Sequence, residues 1–117
     1  MFTCESYTRP NGECPFEEYR ERVERSGRTK EVVKIDAAVQ KLSELGSMAL
    51  TQISLAETLL NDIWQLRPGR HRILYFWDHG QQKYILLQGF LKQTRKTPPQ
   101  ELERAERLRE EYLTREK

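Results

Sequence analysis

The side chains best suited to chemistry in this 117-residue chain lie between residues 63 and 97. Lys92-Gln93-Thr94-Arg95-Lys96-Thr97-Pro98 sets three cations within five residues, directly before a helix start signal. Backbone N–H groups at a helix N-terminus favour anions, so the stretch predicts a phosphate-binding corner. Arg67, Arg70 and Arg72 crowd around a Pro68-Gly69 turn. The arginine fork pairs phosphate oxygens and keeps its charge, so it suits a developing phosphorane. His71 lies between two of these arginines, and histidine titrates where a general acid or base must. Metal chemistry has little to work with. His71 and His79 are not at ligand spacing, Cys4 and Cys14 lie far from both, and Asp78 is the one acidic residue in 63–97. No Gly-rich phosphate loop or nucleophile elbow is present. Any phosphodiester cleavage by these residues is therefore expected to proceed without a metal or other cofactor.

The whole-chain charge argues the other way at first. Twenty basic and 18 acidic residues leave only +2, which on its own suggests no polyanion partner. By segment, residues 63–97 carry seven basic side chains and one acidic, a net of +6, against −3 before them and −1 after. A local field of that size attracts polyanions whatever the total. Hydrophobic residues make up 37% and charged residues 32%, low for a globular chain but periodic enough for a core. The length fits one domain, 1–117. No apolar run approaches a membrane span, and no secretory signal precedes the first strand. Two cysteines are too few for a disulfide framework, so a cytoplasmic chain with a free Cys4 and Cys14 is expected.

The elements that position these residues follow from periodicity. Phe2 to Tyr7 reads as a short strand. Phe16, Tyr19 and Val23 give a helix over 15–25, with Pro15 at its first position. Val32, Ile35, Val39, Leu42 and Leu45 draw one stripe on a second helix, 30–45, ended by Gly46. Ser54 and Glu57 suggest a capping box opening a helical turn over Leu55, Leu59 and Leu60. Strands follow at 63–67, 71–77 and 83–92, joined by Gly-bearing turns into two hairpins. Thr97 as N-cap, Pro98 at the first helical position and Gln100 at the third open a last helix, with a thin stripe of Leu102, Ala105, Leu108 and Tyr112. The expected class is α+β: two helices, a small, mostly antiparallel sheet of three to four strands, and a terminal helix. Alternation puts Arg72, Leu74 and Phe76 on one sheet face and Ile73, Tyr75 and Trp77 on the other. It groups Tyr84, Leu86, Gln88, Phe90 and Lys92 on the third strand.

Several pieces, in this order and spacing, resemble a RelE/HigB-type toxin of a bacterial toxin–antitoxin pair, and more narrowly its phage-derived HigB-like subgroup. They are Cys14-Pro15-Phe16-Glu17-Glu18-Tyr19, Asp62-Ile63-Trp64-Gln65-Leu66-Arg67, Arg70-His71-Arg72-Ile73-Leu74-Tyr75-Phe76, and Gly89-Phe90-Leu91-Lys92-Gln93-Thr94-Arg95-Lys96-Thr97-Pro98 leading into Glu101-Leu102-Glu103-Arg104-Ala105. The resemblance implies a RelE-like fold and a metal-independent, ribosome-dependent mRNA endonuclease that inhibits translation. It also implies a HigA-like helix-turn-helix antitoxin as partner. Carried over residue by residue, it marks Arg67, Arg72, Lys92 and Lys96 as catalytic and matches Tyr75 to an RNA-stacking aromatic, although alternation sets Tyr75 on the face opposite Arg72, where core packing is expected. His71 is a further catalytic candidate as acid or base, and Arg70, Gln93 and Arg95 are candidate RNA contacts by their place in the basic segment. Relatives often carry lysines on the first hairpin strand where this chain has Ile63 and Gln65. The general base is therefore unassigned, and a toxin-fold binder of RNA or protein without catalysis is the alternative.

Overall fold

The computed structural model describes residues 1–115. The elements run β1 (Thr3–Ser6), α1 (Pro15–Arg25), α2 (Thr29–Thr51), β2 (Ala56–Thr58), β3 (Trp64–Leu66), β4 (His71–Asp78), β5 (Lys83–Leu91) and α3 (Pro99–Arg115). The strands form one sheet in the order β1-β5-β4-β3-β2. All neighbours are antiparallel except β1, which runs parallel to β5. The α+β class is as expected, with one strand more than the three to four read from the sequence.

Helices cover both faces of the sheet. Phe16, Tyr19 and Val23 of α1 and Val32, Ile35, Ala38 and Leu42 of α2 pack on Leu66, Ile73, Tyr75, Tyr84 and Leu86. Ala105, Leu108 and Tyr112 of α3 pack on Leu74, Phe76, Ile85, Leu87 and Phe90 from the other side. The thin stripe of α3 is thus buried against the sheet. Each Leu or Ile taken fully out of water contributes about 1.5–3 kcal/mol, and Ile35, Leu42, Ile73, Leu74, Ile85 and Leu87 are all 0% exposed.

α1 begins and ends at the residues its stripe predicted. α2 bends at Gly46, with φ 82° and ψ 163°, and continues for one more turn to Thr51. A Cβ there would lie 2.8 Å from the Phe2 ring, so the site needs glycine for its conformation and for the close approach.

Three expectations are overturned. Ser54 and Glu57 do not open a helical turn; Ser54 takes φ 57° and the chain enters β2 at Ala56. Thr97 does not cap α3, because its hydroxyl donates to Gln65 Oε1 instead and the helix starts at Pro99. On β5 the alternation breaks. Tyr75 faces Leu86 but Leu74 faces Gln88, so Leu87 and Gln88 oppose one residue in a β-bulge. Gln88 and Phe90 therefore share the α3 face with Arg72, while Tyr84 and Leu86 stay on the α1–α2 face with Tyr75.

Candidate active site

The α3 face of the sheet is not covered to its end. Past the start of α3, four polar side chains project from adjoining strands. Gln65 on β3 is buried, and Glu57 is its partner on β2. Gln65 Nε2 donates to Glu57 Oε1 at 2.6 Å, and its Oε1 accepts from Thr97. One buried amide thus ties the sheet edge to the loop before α3. Arg67, two residues on from Gln65, pairs with Glu57 at 3.6 Å. Leu66 faces Ile73, and continuing that register by one residue sets Arg67 opposite Arg72.

Arg72 is 6% exposed. Its Nη1 donates to the carbonyls of Gly69 and His71, both at 2.8 Å, while Nε is buried without a partner. Burial, and then the nearby Arg67 cation, pull its guanidinium below the usual arginine range; Glu57 pulls the other way. No carboxylate lies within ion-pair distance of Arg72 among the described residues. A cation held out of water against a second cation is costly unless an anion joins it.

The bulge brings the rest of the basic segment to this side. Phe90 sits opposite Arg72, and Lys92 follows two residues later, its backbone N–H on the Arg70 carbonyl. The loop then passes Arg95 and Lys96. These two, with Thr97 and Leu102, form one wall of a cleft of about 460 Å³; Glu57, Thr58, Leu59 and Leu60 form the other. Glu57 is the only carboxylate lining it among the described residues. A second open depression of about 440 Å³, on the outer side of α3, is lined by Glu103, Glu106, Arg107 and Glu110. Its three carboxylates repel a polyanion.

Of the residues marked in the sequence, Arg95 and Lys96 line the cleft with Glu57, Arg67 and Arg72 lie near that same carboxylate, and Lys92 follows at the end of β5. Gln93 lies exposed in the same loop. Arg70 stands at the β3–β4 turn, 60% exposed, and reaches Glu31 at 3.5 Å. Two residues are placed elsewhere. Tyr75 is 0% exposed beneath α2, its hydroxyl hydrogen-bonded to Ser47. His71 is 1% exposed on that same face, between Tyr19 and Glu31. A carboxylate can only accept, so Nε2–H donates to Glu31 Oε1, which leaves Nδ1 paired with the Tyr19 hydroxyl. That hydrogen bond from His71 holds the Glu31 carboxyl below its usual range, whereas burial pushes the Tyr19 phenol up to about 12. His71 here orders α1 and α2 against β4.

Glu57 is the site residue that sequence reasoning missed. Its spacing from Ser54 fitted a helix cap, and a three-residue strand is too short to show alternation. No group of three or more His, Cys, Asp or Glu side chains gathers in a metal-binding arrangement among the described residues. Cys4 and Cys14 are both free, and burial pushes the Cys4 thiol up to about 11, away from thiolate chemistry. No helix among the described residues is long and apolar enough to cross a membrane.

A family model described as phage-derived protein Gp49-like (DUF891) matches residues 26–110. The matched span holds every residue of the cleft; β1 and α1 precede it. No curated protein matches the chain.

Proposed function

Because the chain belongs to the phage-derived Gp49-like family, a RelE/HigB-like toxin family, we propose that it is the toxin of a toxin–antitoxin pair and cuts mRNA on the ribosome without a metal. The observation that carries this reading is the cleft in which Glu57 faces Arg95 and Lys96, with Arg67 and Arg72 behind it. In this reading the strand lies along the basic corner. Glu57 accepts the proton of a ribose 2′-hydroxyl, and the freed oxygen attacks the adjacent phosphorus. Arg67 and Arg72 offset the charge that grows on the phosphoryl oxygens. As the bond from phosphorus to the 5′-oxygen breaks, the Lys96 ammonium gives that oxygen a proton. The products are a 2′,3′-cyclic phosphate and a 5′-hydroxyl, and atoms balance without water. Lys92 and Arg95 hold flanking phosphates, with Gln93 and Arg70 at the rim. Gln65 is a positioning residue, fixing Glu57 and the loop at Thr97 in one geometry. The partner is a HigA-like helix-turn-helix antitoxin, and a ribosomal target puts the protein in the cytoplasm.

The test is a translating extract with a defined message and mapped 5′ ends. Wild-type protein is expected to yield new ends bearing 5′-hydroxyls. Glu57→Gln keeps an oxygen for Gln65 but removes the base, and is expected to lower the rate by about 10²–10⁴-fold. Arg72→Ala is expected to lose about 10²-fold or more. Absence of wild-type cuts in translating extracts, with RNA still bound, would transfer the reading to a non-catalytic binder. Cutting by Glu57→Gln at the wild-type rate would remove Glu57 from the mechanism.

A further inference from the structure

A second groove is linked to the cleft through Arg67, which lines it and pairs with Glu57. Its floor and one wall come from one face of α2: Lys34, Ala37, Ala38 and Lys41. Leu55 and the turn residues Arg67, Pro68 and Gly69 form the other wall, enclosing about 230 Å³. Positions 34, 37, 38 and 41 follow the helical repeat, so the two lysines stand two turns apart, about 10 Å along the axis, with small alanines between them. Among the described residues the groove is lined by three cations and no carboxylate. Lys34 and Lys41 have no acidic partner within ion-pair distance among the described residues. The acids nearest in sequence have other partners: Glu31 with His71 and Arg70, Asp36 with Arg20, and Glu44 with the Gln40 amide.

Two contacts join this groove to the cleft. Arg67 lines the groove and also pairs with Glu57. Gly69 lies against the Lys34 side chain, where an added Cβ would come within 3.9 Å of Nζ, while its carbonyl holds Arg72 Nη1. The same turn therefore presents an outer face to the groove and an inner face to the buried cation. Unpaired lysines at both ends of an Ala-floored trough suit an extended, repeating anion better than a compact one.

We propose that this groove is a phosphodiester subsite that receives the RNA backbone as it leaves the cleft over Arg67. The inference rests on the RNA reading above and adds a track on the α2 side of the sheet edge. The backbone can belong to the message or to ribosomal RNA.

The test uses the full chain and two fluorescein-labelled single-stranded RNAs, a trinucleotide that fills only the cleft and a dodecanucleotide. Message-free ribosomes form a third arm. Lys34→Glu/Lys41→Glu is expected to weaken dodecanucleotide or ribosome binding by about tenfold or more in low salt. Against the dodecanucleotide it is expected to flatten the log–log salt slope by about 1.4, near 0.7 for each lost cation. The trinucleotide is expected to bind as before. Ala37→Glu, at an exposed position and with a good helix former, puts one carboxylate on the floor and is expected to act in the same direction. Loss with the dodecanucleotide assigns the groove to the message, and loss with ribosomes alone assigns it to ribosomal RNA. Unchanged affinity and slope in both variants overturns the proposal even if the wild type cuts mRNA. Loss of binding in a protein that never cuts mRNA leaves the groove standing and removes the nuclease.

Discussion

Arg72 shows how a residue can be poised at a cost to the fold. It is nearly buried, donates only to backbone carbonyls and stands across from Arg67. Like charges at such a cross-strand position are destabilising. Arg72→Met keeps the stem and removes the charge, so we expect unchanged or higher thermal stability together with loss of cutting. A fall of several degrees in Tm would show that the two carbonyl contacts outweigh the buried charge. His71 makes a contrasting case. Its type and place between Arg70 and Arg72 read as acid–base chemistry, yet the strand turns it under α1. Tyr19→Phe strands the buried His71 Nδ1, and we expect a loss of about 1–3 kcal/mol in denaturant unfolding with cutting per folded molecule intact. Loss of cutting at full stability would return His71 to the mechanism. The sequence held the identity of both residues; which face each took depended on a strand register it expressed only in part.

At the scale of elements, what could be read was whatever repeats. α1, α2, the two hairpins and α3 each carry enough periods to be recognised. The α1 stripe and Ala105, Leu108 and Tyr112 of α3 are buried, whereas the α2 stripe holds at Val32, Ile35 and Leu42 but fails at Leu45, which is exposed, because the helix bends at Gly46. β2 has three residues and no period, and its Glu57 therefore passed for a cap. The bulge at Leu87 is a single extra residue without a local signature. Its effect is large: it shifts Phe90 and the Lys92 that follows to the face that carries Arg72. Gly89, just past the bulge, faces the Tyr19 ring, where an added Cβ would come within 2.5 Å. Gly89→Ala must push α1 outward, and we expect about 1–3 kcal/mol of destabilisation, read as a lower urea midpoint with an unchanged slope. A midpoint equal to wild type would mean that α1 is less firmly seated than the packing implies.

For the whole molecule, the near-neutral total conceals a division of charge that folding sharpens. Of the seven cations in 63–97, Lys83 is taken up by Glu5 and Arg70 reaches Glu31. Arg95 and Lys96 line the cleft opposite Glu57, and Arg67 and Arg72 feel that same carboxylate from the strand side. The acids that balance the count hold the scaffold instead. Hydrogen bonds from His71 lower the Glu31 carboxyl, and those from Arg9 and Tyr7 lower Glu111. Burial alone would raise Asp78, but Tyr112 and the backbone N–H groups of Gln81 and Gly80 hold it below its usual range. All three bind a proton less readily folded than unfolded, so the unfolded chain takes up more protons in acid. Their contribution is full above about pH 4.5 and is lost as pH falls through the depressed folded values. We expect Tm to be level from pH 7 to 5 and to drop steeply below 4. A Tm that held to pH 3 would show these hydrogen bonds to be replaced by solvent at little loss.

The parallel pairing of β1 with β5 also sets an order of assembly. Thr3 meets Lys83 and Ser6 meets Leu86, so the strand made first waits for the strand made last. Closing so long a loop is slow and brings no return until it is complete. The second wall of the cleft comes later still, after β5. A nascent chain therefore has neither a closed sheet nor a complete cleft until β5 and the start of α3 have been made. A member of a toxin family thereby carries no assembled cleft while β1 to β5 are being made.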